Sequence, residues 1–386
     1  MALAPVTVGR QEVLRFRFRR HDLHRQAGTA GPTDVALLDY GVQDTGPDGA
    51  AWAMAVRGAP PVETDDLGLA WTLRGAPHAY RRSDLAAVAV ATAPLSEADA
   101  AKRIFDAATS LRSGGIGALD AMRTVAGHLR DIVTEPTVKG EASTRLTELL
   151  DDPYLRFCRS CNATHTYEQL FRLPPLHAGL ELEAGTSPPV LRRVPGLRPP
   201  LYRQLAGAAE PRFDAVRNYL RFYGPARARD AAAFLDAPVK DVKAHWPEDA
   251  VEVGFEDEPS TGRRDPRFVL ADDLETLTGP GSDDPARAVR LVGPYDPYLQ
   301  LRDRELLVAD EAQRKDLWRV LGRPGAILAD GEVIGTWRPR ASGRKLTVHV
   351  EPWELFQPSD RALVEEQAER LSAHRGVVLA GLDGGS

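Results

Sequence analysis

The alternation of apolar and polar positions is clearest in the third quarter of the chain. In FDAVRNYLRFYG (213–224) the apolar residues recur every three to four positions and Gly224-Pro225 ends the run, which predicts a helix. ARARDAAAFLD (226–236) predicts a second helix. A break at Asp236-Ala237-Pro238 leads to a third, PVKDVKAHW, with a proline suited to its first turn. Val239, Val242 and Trp246 fall at i, i+3 and i+7 and are expected to face inward, which turns Lys240, Lys243 and His245 elsewhere. VEVGF (251–255) alternates as a strand, EDEPSTGRRDPR is a polar loop, and FVLA (268–271) returns as a second strand. Three short helices around one small core, with a hairpin over the open side, is the layout of a winged helix. In it the last helix can lie in a DNA groove while the loop follows the backbone. The same order is traced less distinctly over 10–100 and 100–195, without a direct sequence repeat.

The flanks are mixed. QEVLRFRFRRHDL (11–23) fits both a strand and a helix; the helix is favoured because the turn-rich AGTAGPTD follows, with a second short helix starting at Thr33 and capped by Thr33 or Asp34. SEADAAKRIFDAATS (96–110) reads as a helix capped by Ser96, and GALDAMRTVAGHLRDIV (117–133) and EASTRLTELL (141–150) as two more. A short helix is expected around Tyr167–Arg172, then a hairpin from GLELEAG and PPVLRRV. In the final third VRLVGPYDPYLQ, ELLVAD, GAILADGEVIGTWRPR and KLTVHVEPWE are short β-rich runs split by Gly, Pro and Asp, which predicts a small antiparallel sheet or barrel. SDRALVEEQAERLSAHRG (359–376) closes the chain as a helix capped by Ser359. The expected class is α+β. Tandem winged-helix (helix-turn-helix) domains at 1–100, 101–203 and 204–285 precede a small antiparallel β-barrel at 286–355 and a C-terminal helix and tail at 356–386.

Composition adds bounds. With 386 residues the chain is too long for one simple core, and its 43% hydrophobic and 27% charged residues fit an ordinary globular protein. MALAPVTVGRQEV has no apolar stretch behind a basic head, and LAAVAVATAPL (85–95) is too short to span a bilayer, so neither a signal peptide nor a membrane partner is expected, and the expected location is cytoplasmic. A net charge of −6 argues against nucleic acid only if the charges are spread evenly; basic groups gathered on one surface still bind phosphate. Only six of the 49 basic residues are lysines; the rest are arginines, whose planar fork suits phosphate and guanine, although an Arg-, Ala-, Gly- and Pro-rich genome produces the same bias. Arg15, Arg17, Arg19, Arg20 and Arg25 make the opening the most basic segment, where Arg15 and Arg19 are candidate phosphate contacts and a solvated helix face is the plain alternative. Arg338, Arg340, Arg344 and Lys345 surround the expected hairpin loop RPRASGRK and form the best local basic patch; Arg192, Arg193 and Arg198 are a weaker one.

Cys158 and Cys161, in CRSCNATH, are the only cysteines, too few for a disulfide framework. Their spacing suits zinc, with His165 and His177 the nearest further ligands. A structural zinc site uses two close pairs, however, and the second pair here is loose, so reduced structural cysteines and no metal are expected. No G-x-G-x-x-G or Walker pattern, G-x-S-x-G elbow or H-E-x-x-H is present, and no cofactor is expected.

Five pieces carry a resemblance together: GVQDTG (41–46), WTLRGAPH (71–78), YLRFYGPARARDAAAFL (219–235), PYDPYLQLRDRELL (294–307) and VIGTWRPRASGRKLTVHVEPWE (333–354). In this order they resemble the bacterial winged-helix DNA-binding domain proteins that include the AlkZ-like DNA glycosylases. The resemblance implies a C-shaped molecule that embraces duplex DNA, and active members that release bulky or crosslinked N-alkylated purines. It also implies a catalytic motif of Gln, an apolar residue, then Gln or Asp, matched here by Gln43-Asp44-Thr45. Gln43 is kept, while Asp44 and Thr45 depart from the pattern. In an extended segment Gln43 and Thr45 share a face and Asp44 points away; a bulge would bring Asp44 in instead. By the same likeness Arg74 is placed at a phosphate and His78 near the site, against the alternative of a buried histidine and a salt-bridged arginine. Tyr295, Asp296, Arg302 and Arg304 belong to the barrel motif, and Asp296 is expected to pair internally with an arginine. The leading expectation is a monomeric, sequence-tolerant duplex-DNA binder related to DNA repair. The alternatives are an active monofunctional glycosylase with Gln43 placing water, and a transcriptional regulator, for which no heptad dimerisation seam is found.

Overall fold

The computed structural model describes residues 6–46, 48–61, 66–256, 265–279, 287–354 and 356–384. The central part of the predicted polar loop, 257–264, lies outside them. Around it the expected succession is present: helices Ala215–Tyr223, Ala228–Leu235 and Val239–Ala244, then antiparallel strands Ala250–Phe255 and Arg267–Leu270. Asp214 caps the first helix, accepting from the Arg217 N–H (2.7 Å), and Asp236, in the left-handed region (φ 54°), ends the second. The third helix turns differently from expectation. Val242 is fully buried, but Val239 is 40% exposed, because a helix of under two turns can press only one residue squarely onto its neighbours.

A third strand joins this pair from the far end of the sequence. Val6–Val8 lies parallel to Ala250–Phe255, with Val6 opposite Val253. The helix that follows, Arg10–Arg20, packs Val13 and Phe16 against Val253, Phe255 and Val269, while Leu14 and Phe18 enter the main core. The expected helix at Thr33 is replaced by a short 3-10 turn, Ala36–Asp39, without a side-chain cap; the Asp34 carboxylate instead accepts from Gly31 N–H (3.2 Å).

The first two predicted units share a six-stranded sheet. Its order is Val42–Gln43, Pro77–Arg81, Leu67–Trp71, Leu180–Leu182, Val190–Arg193 and Thr137–Val138. The predicted 180–193 hairpin thus adds to the strands of the preceding unit, through Leu69 opposite Leu182. Ser96 does cap Glu97–Arg103, but the helix breaks at Ile104 and resumes at Ala108–Ser113. Helices Ala118–Ile132 and Lys139–Leu149 follow, and a small hairpin, Leu155–Cys158 with Ala163–Thr166, carries both cysteines.

In the final third Val289–Val292, Gly325–Ala329, Glu332–Ser342 and Lys345–Pro352 form the expected antiparallel run, and Val378–Asp383 adds in parallel as a fifth strand. Four expectations are corrected. Among the described residues the sheet is open, not a closed barrel; helix Pro358–His374 packs against both edge strands. The tail after that helix is a strand. Ser359 is not its cap: the helix starts at Pro358 after Gln357, with no side-chain cap bond, and Arg287 holds the neighbouring Asp360 (2.5 Å). ELLVAD contains a four-residue helix, Arg304–Leu307, rather than a strand. No helix among the described residues is long and apolar enough to cross a membrane.

Candidate functional site

Gln43 stands at the end of the strand Val42–Gln43, opposite His78. The Asp44 N–H donates to the Pro77 carbonyl (2.8 Å), so the backbone remains extended through it. The side chains then separate. Gln43 Nε2 donates to Thr45 Oγ1 (3.0 Å), whereas Asp44 Oδ1 accepts from the Ala50 N–H (2.9 Å) at the start of helix Gly49–Ala55. That carboxylate fills the space where a Cβ on Gly49 would go. Gln43 and Thr45 therefore share one face, and Asp44 tethers the loop to the helix behind it.

The Gln43–Thr45 face lines a crevice of about 100 Å³ with Trp52, Tyr295, Arg323, Trp337 and Arg338, well below the roughly 300 Å³ at which small-ligand pockets begin. Its other carboxylates are engaged. Asp48 accepts from Arg375 (Nε to Oδ1 2.7 Å), and Asp296 is buried in a two-pronged pair with Arg57 (2.7 and 2.8 Å). The internal pairing expected for Asp296 is what the geometry shows.

His78 is buried, with Nδ1 2.9 Å from the Ala76 carbonyl and 3.2 Å from Thr72 Oγ1. Burial, and then the nearby Arg74 charge, push it down to about 3, so it is a neutral imidazole at any ordinary pH. Arg74 sits in the left-handed region (φ 57°), stacks on Phe234 (4.5 Å to the ring centre) and donates to the Phe234 carbonyl (2.7 Å) and more loosely to Gln300 Oε1 (3.4 Å). It is held by neutral groups and has no carboxylate partner among the described residues.

Arg74 belongs to a group of four arginines that act on one another. Arg302, Arg304 and Arg323 also lack a carboxylate partner among the described residues. Burial and then Arg302 lower Arg74. Burial, Arg302 and Arg323 push Arg304 down to about 10. Arg323 is lowered by burial and by Arg302, with Tyr295 acting in the opposite sense. Arg304 lies over Trp318 (4.9 Å) and Arg323 over Tyr295 (4.9 Å). The buried Nε of Arg302 has no hydrogen-bond partner. Mutual repulsion among partly desolvated guanidiniums is an unfavourable state that a bound anion relieves. Sequence reasoning singled out Arg74, Arg302 and Arg304. It missed Arg323, which arrives from a turn with no recurring pattern, and the Asp48–Arg375 pair.

The other expected contacts divide. Lys240 and Lys243 are exposed and make no ion pair among the described residues. Arg344 and Lys345 are exposed at the hairpin tip and also have none, but Arg338 and Arg340 in the same patch are engaged by Glu351 (2.7 Å) and Asp383 (2.7 Å). Arg192 is paired with the buried Glu181 (3.1 Å), and Arg193 donates to the Val133 and Arg130 carbonyls (2.9 and 3.0 Å), closing the C-terminal end of helix Ala118–Ile132. Arg15 and Arg19 are half-buried on the first helix. Between them Arg17, expected only as part of a basic face, is buried in a pair with Asp303 (2.7 Å).

Fold and site thus define an α+β protein in which a strand-end glutamine and threonine open beside unpaired arginines fit to hold an anion. The family model described as DNA glycosylase AlkZ-like matches residues 52–374, and the chain belongs to that family. Among solved structures it is similar to Streptomyces sahachiroi DNA glycosylase AlkZ, with a TM-score of 0.70 at 19% identity over 98% of this chain and 100% of that one. No curated protein matches it.

Proposed function

We propose that this protein is a duplex-DNA-binding, monofunctional DNA glycosylase that releases N-alkylated or crosslinked purines, with Gln43 and Thr45 placing the attacking water. The observation that carries the reading is the Gln43–Thr45 pair set beside Arg323, which lines its crevice, and Arg74, which borders Thr45 from the adjoining opening, while the carboxylates of the crevice are all engaged. The arginines supply phosphate contacts. The Gln43–Thr45 pair supplies an amide oxygen and a hydroxyl, groups that orient water without being strong bases. That is enough for a substrate whose glycosidic bond is already weak: alkylation at N7 puts positive charge on the departing purine, and the transition state is oxocarbenium-like. The small volume of the crevice supports recognition of the lesion within the duplex rather than in a deep base pocket.

In the same reading residues 204–285 are a winged helix, with Val239–Ala244 as the groove helix and Lys240 and Lys243 toward DNA; 1–100 and 101–203 are two related units, and the open sheet from 286 onward completes a C-shaped wall. Binding without turnover is the second reading, favoured by Thr45 standing where the family pattern has Gln or Asp and by Asp44 facing away. One assay separates the two. Duplex carrying 7-methylguanine is incubated with the protein and treated with alkali. Cleavage at the lesion is expected, with Gln43→Ala slower by roughly a hundredfold at unchanged duplex affinity. Affinity without alkali-labile sites would leave only the binding reading.

A further inference from the structure

Both cysteines of the chain, and one histidine, meet at the tip of the hairpin Leu155–Cys158/Ala163–Thr166. Cys158 ends the first strand, Asn162 in the left-handed region (φ 51°) turns the chain, and His165 follows on the returning strand opposite Arg156. One donor atom from each of Cys158, Cys161 and His165 lies within 4.8 Å of the others, and the two sulfurs are 3.4 Å apart. Zinc with thiolates at about 2.3 Å and imidazole at about 2.0 Å would set tetrahedral donors roughly 3.5–3.8 Å apart, so little movement is needed. His165 Nδ1 lies 2.8 Å from the Thr166 carbonyl. Donating there leaves Nε2 as the free lone pair, the arrangement that fixes a metal-bound imidazole.

The expectation of structural cysteines finds no support in packing. Cys161 is exposed and Cys158 half-buried, whereas thiols that serve as small apolar groups are among the most buried side chains. His177, the other candidate ligand, is elsewhere, buried against Tyr202. We propose that Cys158, Cys161 and His165 bind a zinc ion at this hairpin tip, with solvent in the fourth position. Binding replaces the two thiol protons, which are released to water, and involves no change of oxidation state. The ion ties the turn to the returning strand, which packs on helix Lys139–Leu149. The site does not depend on the glycosylase reading.

The test uses the full chain, reduced and stripped of metal with a chelator that is then removed. Titration with cobalt(II) is expected to give the intense visible absorption of tetrahedral thiolate-bound cobalt at one metal per chain, displaced by zinc. Cys161→Ser is expected to abolish it, and His165→Ala to weaken binding by more than about tenfold, both with the unfolding curve of the metal-free parent. An octahedral cobalt spectrum throughout, binding undisturbed in Cys161→Ser, or a Cys158–Cys161 disulfide that forms and persists in excess zinc would each overturn the assignment.

Discussion

His177 stacks face to face on Tyr202 at 3.6 Å, and neither of its ring nitrogens has a hydrogen-bond partner. Burial pushes it down to about 3, as it does His78, and His21 is lowered well below its ordinary value. In the unfolded chain these rings take up protons near pH 6.5; in the folded protein they do not. Their contribution to stability is therefore full above about 6.5 and is lost as pH falls toward the folded values. Urea unfolding between pH 7 and 5 should show stability falling by up to about 1.4 kcal/mol per pH unit for each such histidine. His177→Phe should reduce that slope by one histidine's share without loss at pH 7, since an apolar ring of similar shape replaces two unpaired polar atoms. An unchanged slope would show that His177 is not buried neutral. Individual side chains were partly legible in the sequence. Period-two alternation placed Gln43 and Thr45 together, but Asp44's partner, the Ala50 N–H, lies across a loop whose path no periodicity reports.

Exposed basic residues expected alike to meet DNA turn out to belong to different classes. Lys240 and Lys243 on Val239–Ala244 make no ion pair among the described residues, whereas Arg193 closes a helix end. Lys240→Ala and Lys243→Ala should each weaken duplex binding across sequences and reduce the salt dependence of the affinity by about one unit of slope. Arg193→Ala should leave that slope unchanged and lower stability by about 1 kcal/mol. Fluorescence anisotropy at several salt concentrations separates the two, and equal slopes for all three variants would refute the division. The helices and strands that were legible were those whose pattern closes locally, such as 215–235 with its Gly-Pro stop and Asp-Ala-Pro break. The pair at 155–166 and the strand Val378–Asp383 were missed because half-exposed, short strands carry little alternation and are fixed by what they pair with.

The overall assembly was the least legible. A −6 chain keeps Arg74, Arg302, Arg304 and Arg323 without carboxylate partners among the described residues while its acids serve other arginines: Asp303 takes Arg17 and Arg267, and Asp39 takes Arg81, Arg212 and Arg221. Net charge averages over that sorting. The predicted boundaries likewise followed repeats of element order, while the sheets ignore them, pairing Leu69 with Leu182 and Val350's strand with the tail. Removing residues 377–386 should cost roughly 2–4 kcal/mol, because Leu379 and Leu382 pack on the main core. It should also bare the edge of Lys345–Pro352 to self-association. Chemical unfolding and light scattering would read both effects; a truncated chain as stable and monodisperse as the parent would contradict the packing.

The parallel pairing of Val6–Val8 with the strand around Val253, and the Arg17–Asp303 pair beside it, impose an order on biosynthesis. The strand Val6–Val8 has no partner until the chain has been translated past Phe255. The segments between can mature while that strand waits, and helix Arg10–Arg20, bearing Arg15, Arg19 and their neighbours, docks late, when the strand at 250–255 and then Asp303 emerge.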